Sequence, residues 1–232
     1  MKRLLKIITG LLCFEEEQVL PIVKAACQAG ASYVDIAAHA PLVEKVKQKS
    51  TIPVCVSGLN FQSMYESVKA GADMLEIGNY DSLYAAGKVW KTEAILKLAD
   101  ELKQKMPDKF LTVTIPYILD AQKQMQLVME LEKLGVDMFQ TEGGGRKRQT
   151  QNTVLANIEA AVVSLAHVDQ LSRMTTKPIL CSSGITATTA PMAMAAGACG
   201  VGVGKAIRHS NAYETIKQIR CALQKDMNLK LI

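Results

Sequence analysis

The sequence predicts an α/β protein, a single (β/α)8 TIM barrel over residues 1–232 with a closed, parallel, eight-stranded sheet. Three observations predict it. First, a glycine-capped helix end runs into a short strand four times. These are Ala29-Gly30-Ala31 before Tyr33-Val34-Asp35-Ile36-Ala37, Ala70-Gly71-Ala72 before Met74-Leu75-Glu76-Ile77-Gly78, Leu134-Gly135-Val136 before Met138-Phe139-Gln140-Thr141-Glu142, and Ala196-Gly197-Ala198 before Gly200-Val201-Gly202-Val203. Glycine suits the left-handed position just past a helix, and helix then strand, repeated, is the α/β pattern. Second, the full count of strands and helices is eight and eight, with no linker and no shift of composition. Third, the last two strands each end in a glycine turn, Ser182-Ser183-Gly184-Ile185 and Gly202-Val203-Gly204-Lys205-Ala206, the ending of barrels that hold an anion with their last two loops. An open doubly wound sheet is disfavoured because no GxGxxG follows the first strand.

The elements follow in order. The first strand covers 4–9 and the first helix 15–28, whose opening glutamates suit a helix N-terminus. Strand 33–38 leads to helix 41–49, with proline at its start, and strand 53–57 to helix 61–69. Strand 74–78 is followed by a longer connection, 79–91, carrying Tyr80, Tyr84 and the only tryptophan, Trp90. Helix 92–105 stops before Pro107, and strand 110–115 ends at Pro116. Helix 121–134, strand 138–142, a polar connection over 143–153 and a helix over 154–168, or on to Arg173, come next. Strand 178–181, the alanine-rich helix 191–196, strand 200–203 and helix 212–224 complete the barrel.

Composition narrows the function classes. Hydrophobic residues make up 49% but aromatics only 5%, so small aliphatic side chains must fill the core. The net charge of +5 is mild, and Arg146-Lys147-Arg148 is its only dense basic cluster, which favours a small anion over nucleic acid. Six scattered cysteines show no CxxC and no pairing with histidine, the usage of reduced, buried thiols. No signal or transit peptide is visible, because Met1-Lys2-Arg3 leads straight into a strand the barrel needs. No apolar run approaches the roughly 20 residues of a membrane span, so no membrane partner is expected. Small barrels often pair, and a homodimer is compatible with the sequence.

In a barrel, function sits at the C-terminal ends of the strands. Aligning the repeats puts Asp35, Glu76 and Gln140 in one phase, with Ala37, Gly78 and Glu142 two residues on in the same phase. The opposite phase is apolar and cannot solvate a carboxylate, so these residues face the barrel interior. Asp35, Glu76 and Glu142 are therefore expected around one mouth, as acid and base, as holders of a divalent cation, or as polar filling paired with Lys6, Thr112 or Thr114. Lys6 is the sole lysine in a strand interior. It can neutralise an anion, form a Schiff base if burial lowers its pKa, or leave by the barrel's bottom. Cys55 reads as a core thiol, and His39 follows the second strand on the functional face. His167 and His209 form no metal spacing, and no metal or cofactor motif is present.

The anion site is expected at Ser182, Ser183, Gly184, Gly202, Gly204 and Lys205. Bare glycines let backbone N–H groups approach, the serines add hydroxyls and Lys205 adds charge. Gly143-Gly144-Gly145 before Arg146-Lys147-Arg148 reads either as a hinged basic lid over the mouth or as a solvated loop. The Tyr80–Trp90 segment closes the opposite rim or meets another subunit.

Several segments carry a family resemblance. Lys6-Ile7-Ile8-Thr9-Gly10-Leu11, Val54-Cys55-Val56-Ser57, Glu76-Ile77-Gly78-Asn79-Tyr80-Asp81, Gln140-Thr141-Glu142-Gly143-Gly144 and the two final turns, in this order, resemble the hypothetical chloroplast open reading frame twenty-three family of cyanobacteria and algal plastids. The resemblance spans nearly the whole chain. It implies a (β/α)8 barrel in the plastid stroma, or in the cytoplasm of a cyanobacterium, and carries no reaction with it. More distantly, the two final turns resemble those of ribulose-phosphate-binding barrels such as sugar-phosphate epimerases, indole-glycerol-phosphate synthase and thiazole synthase. Lys205 stands where those barrels usually have a small residue, so it either folds over the anion or blocks the site.

The leading expectation is thus an enzyme acting on a phosphorylated small molecule, by carboxylate-mediated isomerisation, epimerisation or aldol-type chemistry. A non-catalytic metabolite-binding or regulatory barrel is the alternative, and a flavin mononucleotide barrel ranks third. The cofactor is otherwise left open.

Overall fold

In the computed structural model, β1 (Leu4–Ile8), β2 (Tyr33–Ala37), β3 (Val54–Gly58), β4 (Met74–Ile77), β5 (Phe110–Thr114), β6 (Met138–Gln140), β7 (Ile179–Ser182) and β8 (Gly200–Val203) follow one another around a closed parallel barrel. The structure describes residues 3–78, 80, 83–84, 87, 89–143, 153–208 and 211–224. Helices α1 (Glu16–Gln28), α2 (Ala40–Lys49), α3 (Phe61–Lys69), α4 (Thr92–Lys105), α5 (Ala121–Lys133), α6 (Thr153–Ser172), α7 (Ala190–Ala195), the single-turn α8 (Lys205–Arg208) and α9 (Ala212–Gln224) surround it. The glycines of the four repeats, Gly30, Gly71, Gly135 and Gly197, all adopt positive φ, between 75° and 107°. Most bounds fall within a residue of expectation, and α6 ends at Ser172, close to the longer of its two expected ends; the largest difference is β6, which stops at Gln140 and releases Glu142 from the sheet.

Alternation along the strands separates two environments. Leu5, Ile7, Val34, Ile36, Val54 and Val56 point outward and join Val19, Val23 and the other apolar helix residues in one core between sheet and helices. The opposite phase, with Lys6, Asp35, Ser57, Glu76, Thr112, Thr114 and Gln140, is also buried but faces the barrel interior. Apolar outside and polar inside is the arrangement that fixes the site.

The barrel closes where β8 pairs with β1, from Leu4 opposite Gly200 to Ile7 opposite Val203. Arginines clasp this seam at both ends. At the bottom, Arg220 donates to the carbonyls of Arg3 (2.9 Å) and Gly30 (2.9 Å), and Arg3 donates to the Leu223 carbonyl (2.7 Å). At the top, Arg208 Nη2 donates to the Thr9 carbonyl at 2.6 Å. That guanidinium lies where a Cβ at position 10 would stand, 2.4 Å from Nη2, and Gly10 has φ +123°, so only glycine admits it.

One helix departs from the reading of the sequence. Among the described residues, Val154–Ser172 is long and apolar enough to cross a membrane by length and composition, with mean hydropathy 1.2. In the barrel it packs on β7 and buries Ala161, Ser164, Val168 and Leu171. Its apolarity serves both that packing and an outer face on which Val154, Leu155 and Val162 are exposed.

Candidate functional site

The inward phase builds two layers. The lower is a closed polar floor. Lys6 reaches across the barrel to both carboxylates: Nζ pairs with Asp35 Oδ2 at 3.1 Å, bonds directly to Glu76 Oε2, and donates to Gln140 Oε1 at 3.0 Å. Ser57 Oγ donates to Asp35 Oδ1 at 2.6 Å. Gln140 Nε2 donates to Glu76 Oε1 at 2.7 Å and to Thr114 Oγ1 at 3.0 Å. The network is out of water, with Lys6 and Glu76 at 0% exposure and Asp35 at 1%.

Burial alone would lower the Lys6 pKa, but Asp35 and Glu76 outweigh it and hold the ammonium charged, above the ordinary lysine value. The neutral amine that Schiff-base chemistry needs is therefore disfavoured, and Lys6 does not leave by the barrel's bottom. Burial pushes the Glu76 carboxyl up to about 7, against the pull of Lys6. One cation facing two carboxylates in a dry site leaves one negative charge too many, and the raised Glu76 is how the site relieves it. Burial also pushes the Cys55 thiol well up, which keeps it in the inert form expected of a core cysteine.

The upper layer is a cleft of about 1250 Å³ at the C-terminal ends of the strands. All six residues expected at the anion site line it: Ser182, Ser183, Gly184, Gly202, Gly204 and Lys205. Of the four residues expected to do chemistry, only Glu142 lines it; Lys6, Asp35 and Glu76 lie in the floor beneath. The three carboxylates therefore do not ring one mouth. Glu142 stands two residues beyond Gln140, past the end of β6 and on the cleft side of the floor. Gln140 and Thr114 belong to both layers, bonded to Glu76 below and lining the cleft above.

The glycines of the two turns have different reasons. Gly184 has φ +74°, and a Cβ there would stand 2.0 Å from the Ala160 carbonyl oxygen of α6, so the turn and the helix backbone both require glycine. Ser183 before it also has positive φ, 81°, and its carbonyl accepts from Ser164 Oγ at 2.7 Å. At Gly204 a Cβ would meet nothing closer than the Ile8 carbonyl at 3.4 Å, and φ is not positive. A Cβ there would rest in ordinary contact with Ile8 of β1, so neither a clash nor a left-handed backbone demands glycine at this position. Lys205 follows as the first residue of α8, exposed on the cleft's rim.

Glu142 is held from the other side. Tyr84 Oη donates to Oε1 at 2.7 Å and the Tyr117 N–H donates to the same oxygen at 3.2 Å. Tyr84 and Tyr117 meet edge to face at 5.7 Å, and Tyr80, fully buried, packs against Trp90 at 6.0 Å. The described part of the Tyr80–Trp90 segment thus packs into its own barrel and grips Glu142. Tyr84, Tyr117 and the cleft-lining Arg208 were not singled out from the sequence for these roles. The two aromatics on connections after β4 and β5 were the only local signal.

His39 packs edge to face on Phe14 at 5.5 Å and does not line the cleft. His167 is buried on α6, and burial pushes its pKa down to about 4, partly offset by the main chain of Glu142. His209, Gly144, Gly145 and Arg146-Lys147-Arg148 lie outside the described residues. Among the described residues no group of three or more His, Cys, Asp or Glu side chains is placed to hold a metal.

Comparison with known proteins gives the following. Residues 1–231 match the family model "Protein of unknown function (DUF561)". The uncharacterized protein ycf23 of Cyanidium caldarium is 41% identical over 224 residues, covering 97% of this chain and 90% of that one. The ycf23 of Cyanophora paradoxa is 40% identical over 214 residues, covering 92% and 88%. Among solved structures, 3-hexulose-6-phosphate synthase aligns with TM-score 0.65 at 18% identity, covering 96% of this chain and 99% of that one. The (S)-3-O-geranylgeranylglyceryl phosphate synthase of Thermoplasma acidophilum, in complex with its substrate sn-glycerol-1-phosphate, aligns with TM-score 0.65 at 12% identity, covering 95% and 93%. Thiamine phosphate pyrophosphorylase of Pyrococcus furiosus aligns with TM-score 0.63 at 15% identity, covering 96% of each chain. Likeness at such identity establishes the barrel alone.

Proposed function

The chain belongs to the DUF561 family, that of the ycf23 proteins, and we propose that it binds a small phosphorylated molecule in the cleft, with the phosphate on the turns after β7 and β8. One observation carries this reading: residues from two separate turns, at the end of the barrel where such folds bind anions, line a single cleft. The names of the three similar barrels each contain a phosphorylated compound, which agrees with it. As in the family resemblance, we assign the protein to the plastid stroma, or to the cytoplasm of a cyanobacterium.

The chemistry we propose is proton transfer by Glu142, in an isomerisation, epimerisation or aldol-type reaction. Its carboxylate lines the cleft, is 6% exposed, and has one oxygen fixed by Tyr84 and Tyr117. Asp35, Glu76 and Lys6 then act as positioning residues. They fix which end of the Gln140 amide points where and set the charge beneath the reacting atoms. A second reading, a metabolite-binding barrel without catalysis, is favoured by the engagement of two of the three carboxylates on Lys6.

Calorimetry with inorganic phosphate tests the binding site. Gly204→Asp adds a carboxylate to the turn that lines the cleft and should weaken phosphate binding at least about tenfold, as two like charges in a partly dry site require. Unchanged affinity would sink the assignment. NMR in D2O with phosphorylated aldoses and ketoses separates the two readings. Solvent deuterium entering at the carbon beside the carbonyl, and lost in Glu142→Gln, supports catalysis; binding without exchange leaves the metabolite-binding barrel.

A further inference from the structure

We infer that the ligand of this cleft carries an aliphatic chain behind its anionic head, and that the chain lies along α1. The inference rests on the phosphate reading above and adds the class of molecule.

The cleft does not end at the strand ends. From the phosphate turns it continues past Leu11, Leu12 and Cys13 of the β1–α1 connection to Pro21 and Ile22 on α1, with Ile185, Ala206 and Ile207 also contributing to its wall. Its volume, about 1250 Å³, exceeds the roughly 300–1,000 Å³ that holds drug-sized ligands. A short polyhydroxylated phosphate finds partners at the polar strand ends but leaves the α1 end of that space and surface uncovered, since each of its hydroxyls needs a hydrogen-bond partner. Most side chains able to supply such partners stand on strand ends β5 to β7, while Thr9 at the end of β1 donates to the Asp35 carbonyl and Thr186 after β7 meets Thr189. On the α1 stretch only Glu17 and Gln18 are polar, and both are exposed at the rim.

Leu12 on the rim is 68% exposed, and with Leu11, Pro21 and Ile22 it belongs to an apolar stretch of cleft wall rather than standing as a single scattered side chain. The cations fit the same picture. Lys205 and Arg208, at the two ends of α8, bring positive charge to the cleft. Arg208 spends Nη2 on the Thr9 carbonyl, which fixes the guanidinium plane beside Gly10. A charged head between the glycine turns and α8, with a chain leaving over Leu11 toward Ile22, satisfies both halves of the lining.

A series of alkyl phosphates tests this by calorimetry: methyl, butyl and octyl phosphate, each below its micellar concentration, with octylammonium as the cationic control. Each methylene buried strengthens binding by up to about fourfold, so partial contact over the chain should raise affinity at least about 30-fold from methyl to octyl phosphate. Ile22→Asp should cut that octyl-to-methyl ratio at least about tenfold. If Ile22→Asp does not fold, Leu12→Asp at the exposed rim gives the same comparison. Phosphate esters that bind with affinity independent of chain length overturn the inference and leave the phosphate reading standing. Octylammonium binding as tightly as octyl phosphate overturns the anionic head. Failure of every phosphate ester to bind overturns the underlying reading and this one with it.

Discussion

The floor and the cleft are made from the same strands and the same inward-facing phase, yet they differ in one respect. In the floor every polar side chain of the Lys6 network has a partner within the protein. Lys6 takes Asp35, Glu76 and Gln140, and Gln140 and Thr114 close the remaining valences of Glu76. In the cleft one step higher, glycine, serine and the Glu142 carboxylate face open volume. The difference teaches where a barrel keeps rigidity and where it keeps reactivity. A saturated network beneath a site holds the side chains above it still without competing for the ligand.

The strongest way to break the comparison is to unbalance the floor. Lys6→Met leaves two carboxylates facing each other at about 0–1% exposure, and loss of one partner from a buried pair costs about 3–5 kcal/mol. Urea denaturation should show that loss, and Asp35→Asn with Glu76→Gln in the same chain should recover most of it. If Lys6→Met alone is harmless, the floor is not a closed charge network.

A histidine kept neutral by burial sharpens the contrast with charges kept by pairing. His167 has its pKa depressed from 6.5 to about 4 in the fold, so below pH 6.5 the unfolded chain binds a proton that the native chain refuses. Its contribution is fully present above pH 6.5 and is lost as the pH falls toward 4, by about 3 kcal/mol in all. His167→Gln should flatten the stability profile over that window by a comparable amount. A variant with the same acid loss as the parent would show that another group carries it.

The smallest expected effect lies in the turns. Gly184→Ala meets both a left-handed backbone and the Ala160 carbonyl, and should cost at least about 2 kcal/mol. Gly204→Ala, with its nearest contact at 3.4 Å, should cost under about 0.5 kcal/mol and instead weaken phosphate binding. Thermal melts of the two variants measure the pair. Equal losses would mean that both glycines serve the backbone alone.

The barrel was legible because its signals are local and repeated: glycine after a helix four times, within eight strands and eight helices that follow without a linker. The inward phase was legible too, since it follows from period two. What the sequence could not show is height and reach. The alignment already set Glu142 one step above Asp35 and Glu76, but only the staggered register of eight strands reveals that this step carries it out of the floor and into the cleft. Lys6 meets Glu76 across the barrel, a pairing set by closure rather than by neighbouring residues. Tyr84 reaches Glu142 across 58 positions of sequence from a connection with no periodic pattern. Arg208 was unremarked for the same reason: its meaning depends on Gly10 lying beside it at the seam.

That seam also sets a timetable. The edge of β1 finds its partner only when β8 exists, about 200 residues later, and the arginine clasps close after it. At a synthesis rate of about 5–20 residues per second, the first strand waits roughly 10–40 s with one side unpaired. An emerging chain therefore presents a sticky, strand-shaped edge to the ribosome's surroundings throughout its synthesis. The glycine turns of the anion site lie in the stretch that ends this wait, so the site is completed at the same moment that the newborn protein ceases to be vulnerable.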